Sequence, residues 1–123
     1  RGMCCLRPGR KGLSENIEIR SVLDRYLEHS RVMIFANGGN ERIFIGSADW
    51  MGRNLDMRIE VITPIYDTEI KKNIRKIINI QLNDNTKARI IDADLKNEYW
   101  MSDGPQVQSQ VAIYAHYKRH IKE

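Results

Sequence analysis

Two short apolar runs separated by Asn37-Gly38-Gly39-Asn40 constrain the fold of this chain more than any other feature. Arg31–Ala36 precedes the turn and Arg42–Gly46 follows it, and both are rich in β-branched and aromatic residues. Adjacent glycines flanked by asparagines accept the positive φ angles that reverse a chain between antiparallel strands, so this segment is a hairpin. Other elements are read around it. Ile17–Arg20 and Met57–Ile62 alternate apolar and polar as half-buried strands do, with Pro64 closing the second. Met3–Leu6 reads as a short buried strand ended by the loop Arg7-Pro8-Gly9-Arg10-Lys11-Gly12, and Ala88–Ile91 as another strand. Val22, Leu23, Tyr26 and Leu27 have the spacing of a two-turn helix over Ser21–Glu28.

Asp67 and Thr68 can cap a longer helix carrying Ile70, Ile74, Ile77 and Ile78 on one face, ended by Asn83-Asp84-Asn85. Asp49–Leu55 reads as a turn or one helical turn, and Lys96–Gly104 as an exposed loop. Val107, Val111, Tyr114, Lys118 and Ile121 fit a last amphipathic helix. The expected class is α+β (mixed α/β), with helices covering a mixed β-sheet in a single domain over residues 1–123.

A chain of 123 residues allows one modest domain, and 41% hydrophobic with 29% charged residues describes a globular protein, not a disordered one. No apolar run approaches the ~20 residues of a membrane span, and no secretory leader is evident. The chain opens at Arg1 and enters an apolar segment almost at once, which reads as a piece of a longer polypeptide. Net charge is +4, with a pI near 9.2. That balance favours a phosphate-rich partner without choosing among nucleotide, nucleic acid and polyphosphate. Cys4 and Cys5 are adjacent, unsuited to an ordinary mutual disulfide or a zinc site, and read as reduced cytosolic thiols.

The chemistry-bearing residues cluster around the hairpin. His29 and Arg31, two apart, would share a strand face and could meet one ligand. Gly46-Ser47 would let backbone N–H groups and a hydroxyl approach a phosphoryl oxygen. Asp49 and Asp56 could accept hydrogen bonds from Arg31, Arg53 or Arg58. Trp50 is expected in the core, Tyr99 and Trp100 are left open, and the Arg7–Lys11 loop is read as solvated surface. His116 and His120 stand four apart on a helix, but no third ligand accompanies them, so helix surface is the better reading.

Arg1-Gly2-Met3-Cys4-Cys5-Leu6-Arg7-Pro8-Gly9, Leu13-Ser14-Glu15-Asn16-Ile17, Arg25-Tyr26-Leu27-Glu28-His29-Ser30-Arg31, Ser47-Ala48-Asp49-Trp50-Met51-Gly52-Arg53-Asn54-Leu55-Asp56 and Asp84-Asn85-Thr86-Lys87-Ala88-Arg89 resemble polyphosphate kinase, the ATP-dependent, histidine-phosphorylating family. The resemblance covers essentially the whole chain. It implies a carboxy-terminal, phospholipase-D-like catalytic-core domain, paired with a related preceding domain of the same polypeptide. The implied reaction is reversible transfer of the terminal phosphate of ATP to inorganic polyphosphate through a phosphohistidine. That histidine would lie outside this chain, so none of His29, His116 or His120 takes the role. Arg1 and His29 match residues that contact the nucleotide phosphates, and His29 matches a catalytic position.

The resemblance further implies Mg2+ with ligands outside this chain, ATP/ADP and polyphosphate as partners, no nucleic acid, and a homo-oligomeric full-length protein. It implies a cytoplasmic enzyme with peripheral membrane association, and an isolated fragment without activity. Arg31 stands where phospholipase D enzymes have lysine, and Asp49 where their Gly-Ser motif has asparagine. Both departures argue against the first alternative, a phosphodiesterase half-site, which would also need a second His-x-Lys element that the chain lacks. The second alternative is a noncatalytic module binding polyphosphate and nucleic acid alike.

Overall fold

The structure, a computed structural model, describes residues 5–120, with His120 described by its backbone alone. The hairpin forms as its turn chemistry dictates. Strands β1 (Ile19–Val22), β2 (Val32–Phe35) and β3 (Arg42–Gly46) come first, with a short 3-10 turn over Asn37–Gly39 between the last two. Asn37, Gly38 and Gly39 have φ of 46°, 62° and 92°, the left-handed run that the glycine pair makes accessible. Helix α1 (Gly52–Met57), strand β4 (Ile62–Ile65), helix α2 (Thr68–Leu82), strand β5 (Ala88–Ile91) and helix α3 (Ser109–His120) follow.

The class is α+β. The strands lie in two small sheets, and every ladder among the described residues is antiparallel. The chain clusters into two compact units, residues 27–76 in one and the flanking residues in the other, the division falling within α2.

In the 27–76 unit the sheet order is β2-β3-β4, with Val32 opposite Ile45, Phe35 opposite Arg42 and Gly46 opposite Ile62. The central strand carries the buried residue Ile43, 1% exposed. Met57–Ile62 does not form the expected strand. Its first residue ends α1, and pairing starts at Ile62, running through Pro64, which faces Phe44. Proline is accommodated there because β4 is an edge strand, where a missing N–H need not break a ladder. Helix α2 starts where predicted, the Asp67 carboxylate accepting the N–H groups of Glu69 and Ile70 at 2.9 Å each.

In the flanking unit β1 pairs with β5 from Ile19–Ile91 to Val22–Ala88. The expected helix over Ser21–Glu28 is therefore absent. Ser21 and Val22 belong to the ladder, and the segment beyond is held by residues at and just before the start of α3 instead of by its own turns. The Gln108 amide donates to the Asp24 carboxylate, while Gln110 donates to the Tyr26 carbonyl and accepts the Tyr26 N–H. The expected Met3–Leu6 strand lies largely outside the described residues, and Cys5 and Leu6 have no regular structure.

Asp84, fully buried, joins this unit together. One carboxylate oxygen accepts the N–H groups of Thr86, Lys87 and Ala88, and the other accepts that of Ser109 at the start of α3. Tyr99 and Trp100 are also accounted for here. The Arg20 guanidinium stacks 3.6 Å from the Trp100 ring centre, and that of Arg89 lies 3.5 Å from the ring centre of Tyr99. Among the described residues no helix is long and apolar enough to cross a membrane.

Candidate functional site

His29 and Arg31 lead into β2, and Gly46-Ser47 leaves β3 beside them, because the ladder sets the Arg31 carbonyl against the Gly46 N–H at 3.0 Å. Arg31 is held in place. Its Nε and Nη2 donate to the two oxygens of Asp49 at 2.8 and 3.1 Å, and its Nη1 donates to the His29 carbonyl at 3.0 Å. At least three of the five N–H groups of this fork are thereby used within the protein. The expectation that Arg31 and His29 jointly grip a ligand is corrected in this respect: Arg31 chiefly fixes the backbone that carries His29. His29 itself is exposed.

Ser47 is likewise engaged. Its hydroxyl donates to the Glu60 carboxylate and accepts the Val61 N–H at 3.1 Å, while its own N–H donates to the Val61 carbonyl. The Gly-Ser turn thus ties β3 to β4 instead of presenting free donors to a phosphoryl group. Gly46 is required for close approach: a Cβ there would stand 3.3 Å from both Ile62 Cγ1 and the Val61 carbonyl. Asn54 of α1, 3% exposed, donates to the other oxygen of Glu60 at 2.8 Å. Its Oδ1 is buried without a hydrogen-bond partner among the described residues.

The charges follow from these bonds. Hydrogen bonds from Arg31 hold the Asp49 carboxyl below its ordinary range despite partial desolvation, with Arg53 and His29 adding their fields. Arg31 is raised in turn by its bond to Asp49. Glu60 is lowered by its bonds from Ser47 and Asn54, then by the nearby Arg58 and Arg31. Arg53 is exposed, and its side chain makes no hydrogen bond or ion pair among the described residues. The site is therefore an exposed imidazole and an exposed guanidinium, those of His29 and Arg53, over an inner layer of carboxylates that are already satisfied.

Of the residues named from sequence, Arg31 and Asp49 meet as foreseen, while Asp56 makes no such bond. Trp50 is not in the core but 85% exposed, because α1 starts after it and leaves its side chain outside. Arg1 lies outside the described residues. Arg7, Arg10 and Lys11 are exposed, as expected for solvated surface. Sequence reasoning missed Glu60 and the role of Asn54. The available signal was slight, since Glu60 reads simply as a polar member of the 57–62 alternation. Among the described residues no three His, Cys, Asp or Glu side chains converge to hold a metal ion.

Comparison with known proteins places this geometry. The chain matches the family described as polyphosphate kinase C-terminal domain 2 over residues 1–110. It is 51% identical over 124 residues to a polyphosphate kinase of Vibrio cholerae, covering 100% of this chain and 18% of that protein. To a polyphosphate kinase of Escherichia coli K12 it is 49% identical over 119 residues, covering 96% of this chain and 17% of that protein. A crystal structure of polyphosphate kinase from Porphyromonas gingivalis superposes with a TM-score of 0.90 at 48% identity, over 97% of this chain and 18% of the other. The chain thus spans less than a fifth of the length of these relatives. Since that likeness runs through the strand, turn and helix that carry His29, Arg31, Ser47 and Asn54, this chain belongs to the polyphosphate kinase C-terminal domain 2 family.

Proposed function

We propose that this chain is the carboxy-terminal part of the catalytic core of a polyphosphate kinase, in which His29 contacts the phosphates of ATP and ADP. The observation that carries the reading is the exposed His29, set on a backbone that Arg31 and Asp49 hold rigidly. In phosphoryl transfer charge accumulates on the oxygens of the departing phosphate and of the nucleotide left behind. An imidazole can donate a hydrogen bond or a proton to the nucleotide oxygen as that charge builds, and retrieve it in the reverse direction. Arg53, exposed beside it, adds positive field. Arg1 is proposed as a second phosphate contact on the resemblance alone.

The phosphate acceptor in this reading is a histidine of another part of the polypeptide, from which the group passes to polyphosphate. Isolated residues 1–123 would accordingly be inactive. Magnesium would neutralise the nucleotide phosphates, with its ligands proposed to lie outside this chain on the resemblance. The full-length protein is proposed to act as a cytoplasmic homo-oligomer with peripheral membrane association, taking ATP, ADP and polyphosphate and not nucleic acid.

The test is His29→Ala and His29→Gln in the full-length enzyme, with polyphosphate synthesis from ATP as readout. Removal of a positioned acid–base group should lower kcat by roughly a hundredfold to ten-thousandfold. Polyphosphate binding and the thermal melt should be unchanged. Unaltered turnover would refute the role, and activity in the isolated chain would refute the division of labour. Binding of polyphosphate and nucleic acid alike, insensitive to His29→Ala and without turnover, would favour the noncatalytic module.

A further inference from the structure

A cleft of about 380 Å³ lies at the end of the three-stranded sheet opposite to His29 and Ser47. It is lined by residues of the hairpin turn, the start of β3, the end of β4 and the first turn of α2, among them Asn40, Arg42, Phe44, Tyr66 and Lys71. Along β3 its Arg42 is four residues from Gly46, a separation of about 14 Å at strand rise. One nucleotide phosphate group cannot occupy both ends.

The charge in this cleft is unbalanced. Glu41, its acidic wall residue, is engaged in an ion pair with Arg75. Arg42 and Lys71 have no hydrogen-bonding or ion-pairing side-chain partner among the described residues. Arg42 is exposed and can turn its planar fork to a phosphate, and Lys71 is half-buried on the helix beside it. The wall is also aromatic. Phe44 is fixed edge-on against Phe35, their ring centres 5.8 Å apart, and Tyr66 is 82% exposed and free to lie against a planar ligand. Two cations beside two rings in a cleft of this size suit a ligand with a flat apolar part and a phosphate tail.

We propose that this cleft is a second nucleotide-binding site, separate from the phosphate contacts at His29, taking a nucleoside phosphate through Arg42 and Lys71 with its base against Tyr66 and Phe44. The proposal goes beyond the catalytic reading and does not depend on it.

The experiment is equilibrium binding of labelled ADP to the full-length protein, with stoichiometry as the readout. Two classes of site are expected in the unmodified protein, and His29→Ala should leave the class at this cleft unchanged while weakening the other. In Arg42→Ala combined with Lys71→Ala one class should weaken at least about tenfold, the cost of losing a charged hydrogen bond. Tyr66→Ala, at an exposed position whose loss leaves the sheet intact, should weaken the same class for ADP and leave tripolyphosphate binding unaffected. A single class of site in the unmodified protein, or two classes indifferent to both substitutions, would overturn the proposal. Tripolyphosphate binding to this class as tightly as ADP would overturn the nucleotide assignment and leave a phosphate site in its place.

Discussion

Replacing Asp84 tests whether the flanking unit depends on one buried carboxylate. Its two oxygens accept four backbone N–H groups, those of Thr86, Lys87 and Ala88 at 3.0, 2.7 and 3.2 Å and that of Ser109 at 2.7 Å. In Asp84→Asn one oxygen survives. If it stays on the Thr86–Ala88 turn, the new NH2 group faces the Ser109 N–H, donor against donor, and the start of α3 loses its acceptor. Losing one charge-assisted bond in a buried setting costs about 2 kcal/mol. Asp84→Ala strands all four donors; the losses are not additive, since opened N–H groups regain water, and about 4 kcal/mol is expected. Hydrogen exchange on the full-length protein reads this locally: at about 2 kcal/mol, the Ser109 amide should exchange roughly thirtyfold faster in the asparagine variant.

The pH dependence has a fixed sign. Burial raises the Asp84 carboxyl, but the N–H groups of Ser109, Lys87 and Thr86 outweigh it and leave the folded-state value below the ordinary one. The contribution is therefore complete above the unfolded carboxylate range near pH 4, and is lost as pH falls through the lower folded value. Unchanged Ser109 exchange in Asp84→Asn, or protection that grows on acidification below pH 4, would refute the reasoning.

Gly46→Ala should lower stability by about 1–2 kcal/mol through overpacking against Ile62 and the Val61 carbonyl, read as a fall in melting temperature. Trp100→Ala removes the ring under Arg20, so a loss of about 2 kcal/mol is expected, and Arg20→Ala should cost less in that background than in the unmodified protein, the remainder being its bonds to Leu82 and Glu18. Arg31→Lys keeps the charge but loses the fork; the Asp49 carboxyl should titrate closer to its ordinary value by NMR, moving upward. Because Asp49 is depressed in the folded state, its pairing with Arg31 weakens as pH falls and never as it rises through neutrality.

What could be read from the sequence was whatever is decided within a few residues. The Asn37–Asn40 turn depends on positive φ at neighbouring positions, and the α2 start depends on a carboxylate two residues ahead of the N–H it caps. Ser21–Glu28 shows the opposite case. Its helical spacing is real, but Ser21 is paired to Arg89 and Tyr26 to Gln110, partners far away in sequence that outbid a marginal two-turn helix. The same holds in the site. Arg31 and Asp49 were legible as complementary charges near one motif. Glu60 was not, since its claim on Ser47 and Asn54 arises only when β3 and β4 are side by side. Trp50 was misplaced because large aromatic area argues for burial, while one short helix boundary decided otherwise.

The Arg31–Asp49 pair bears on which chemistry this end of the sheet can support. A phosphodiesterase half-site would present a lysine as a compact unpaired cation, with a neutral asparagine nearby. Here a guanidinium replaces the lysine and a carboxylate replaces the asparagine, and the two bind each other through both oxygens. Their charges cancel at short range, so the positive field left beside them comes from Arg53 and Arg58. An innermost cation that is already paired offers an anion less net field than a free lysine would. Exchanging a free lysine for a salt bridge thus leaves Arg31 positioning the backbone that carries His29, and under the proposed function it is His29 that would meet the phosphate.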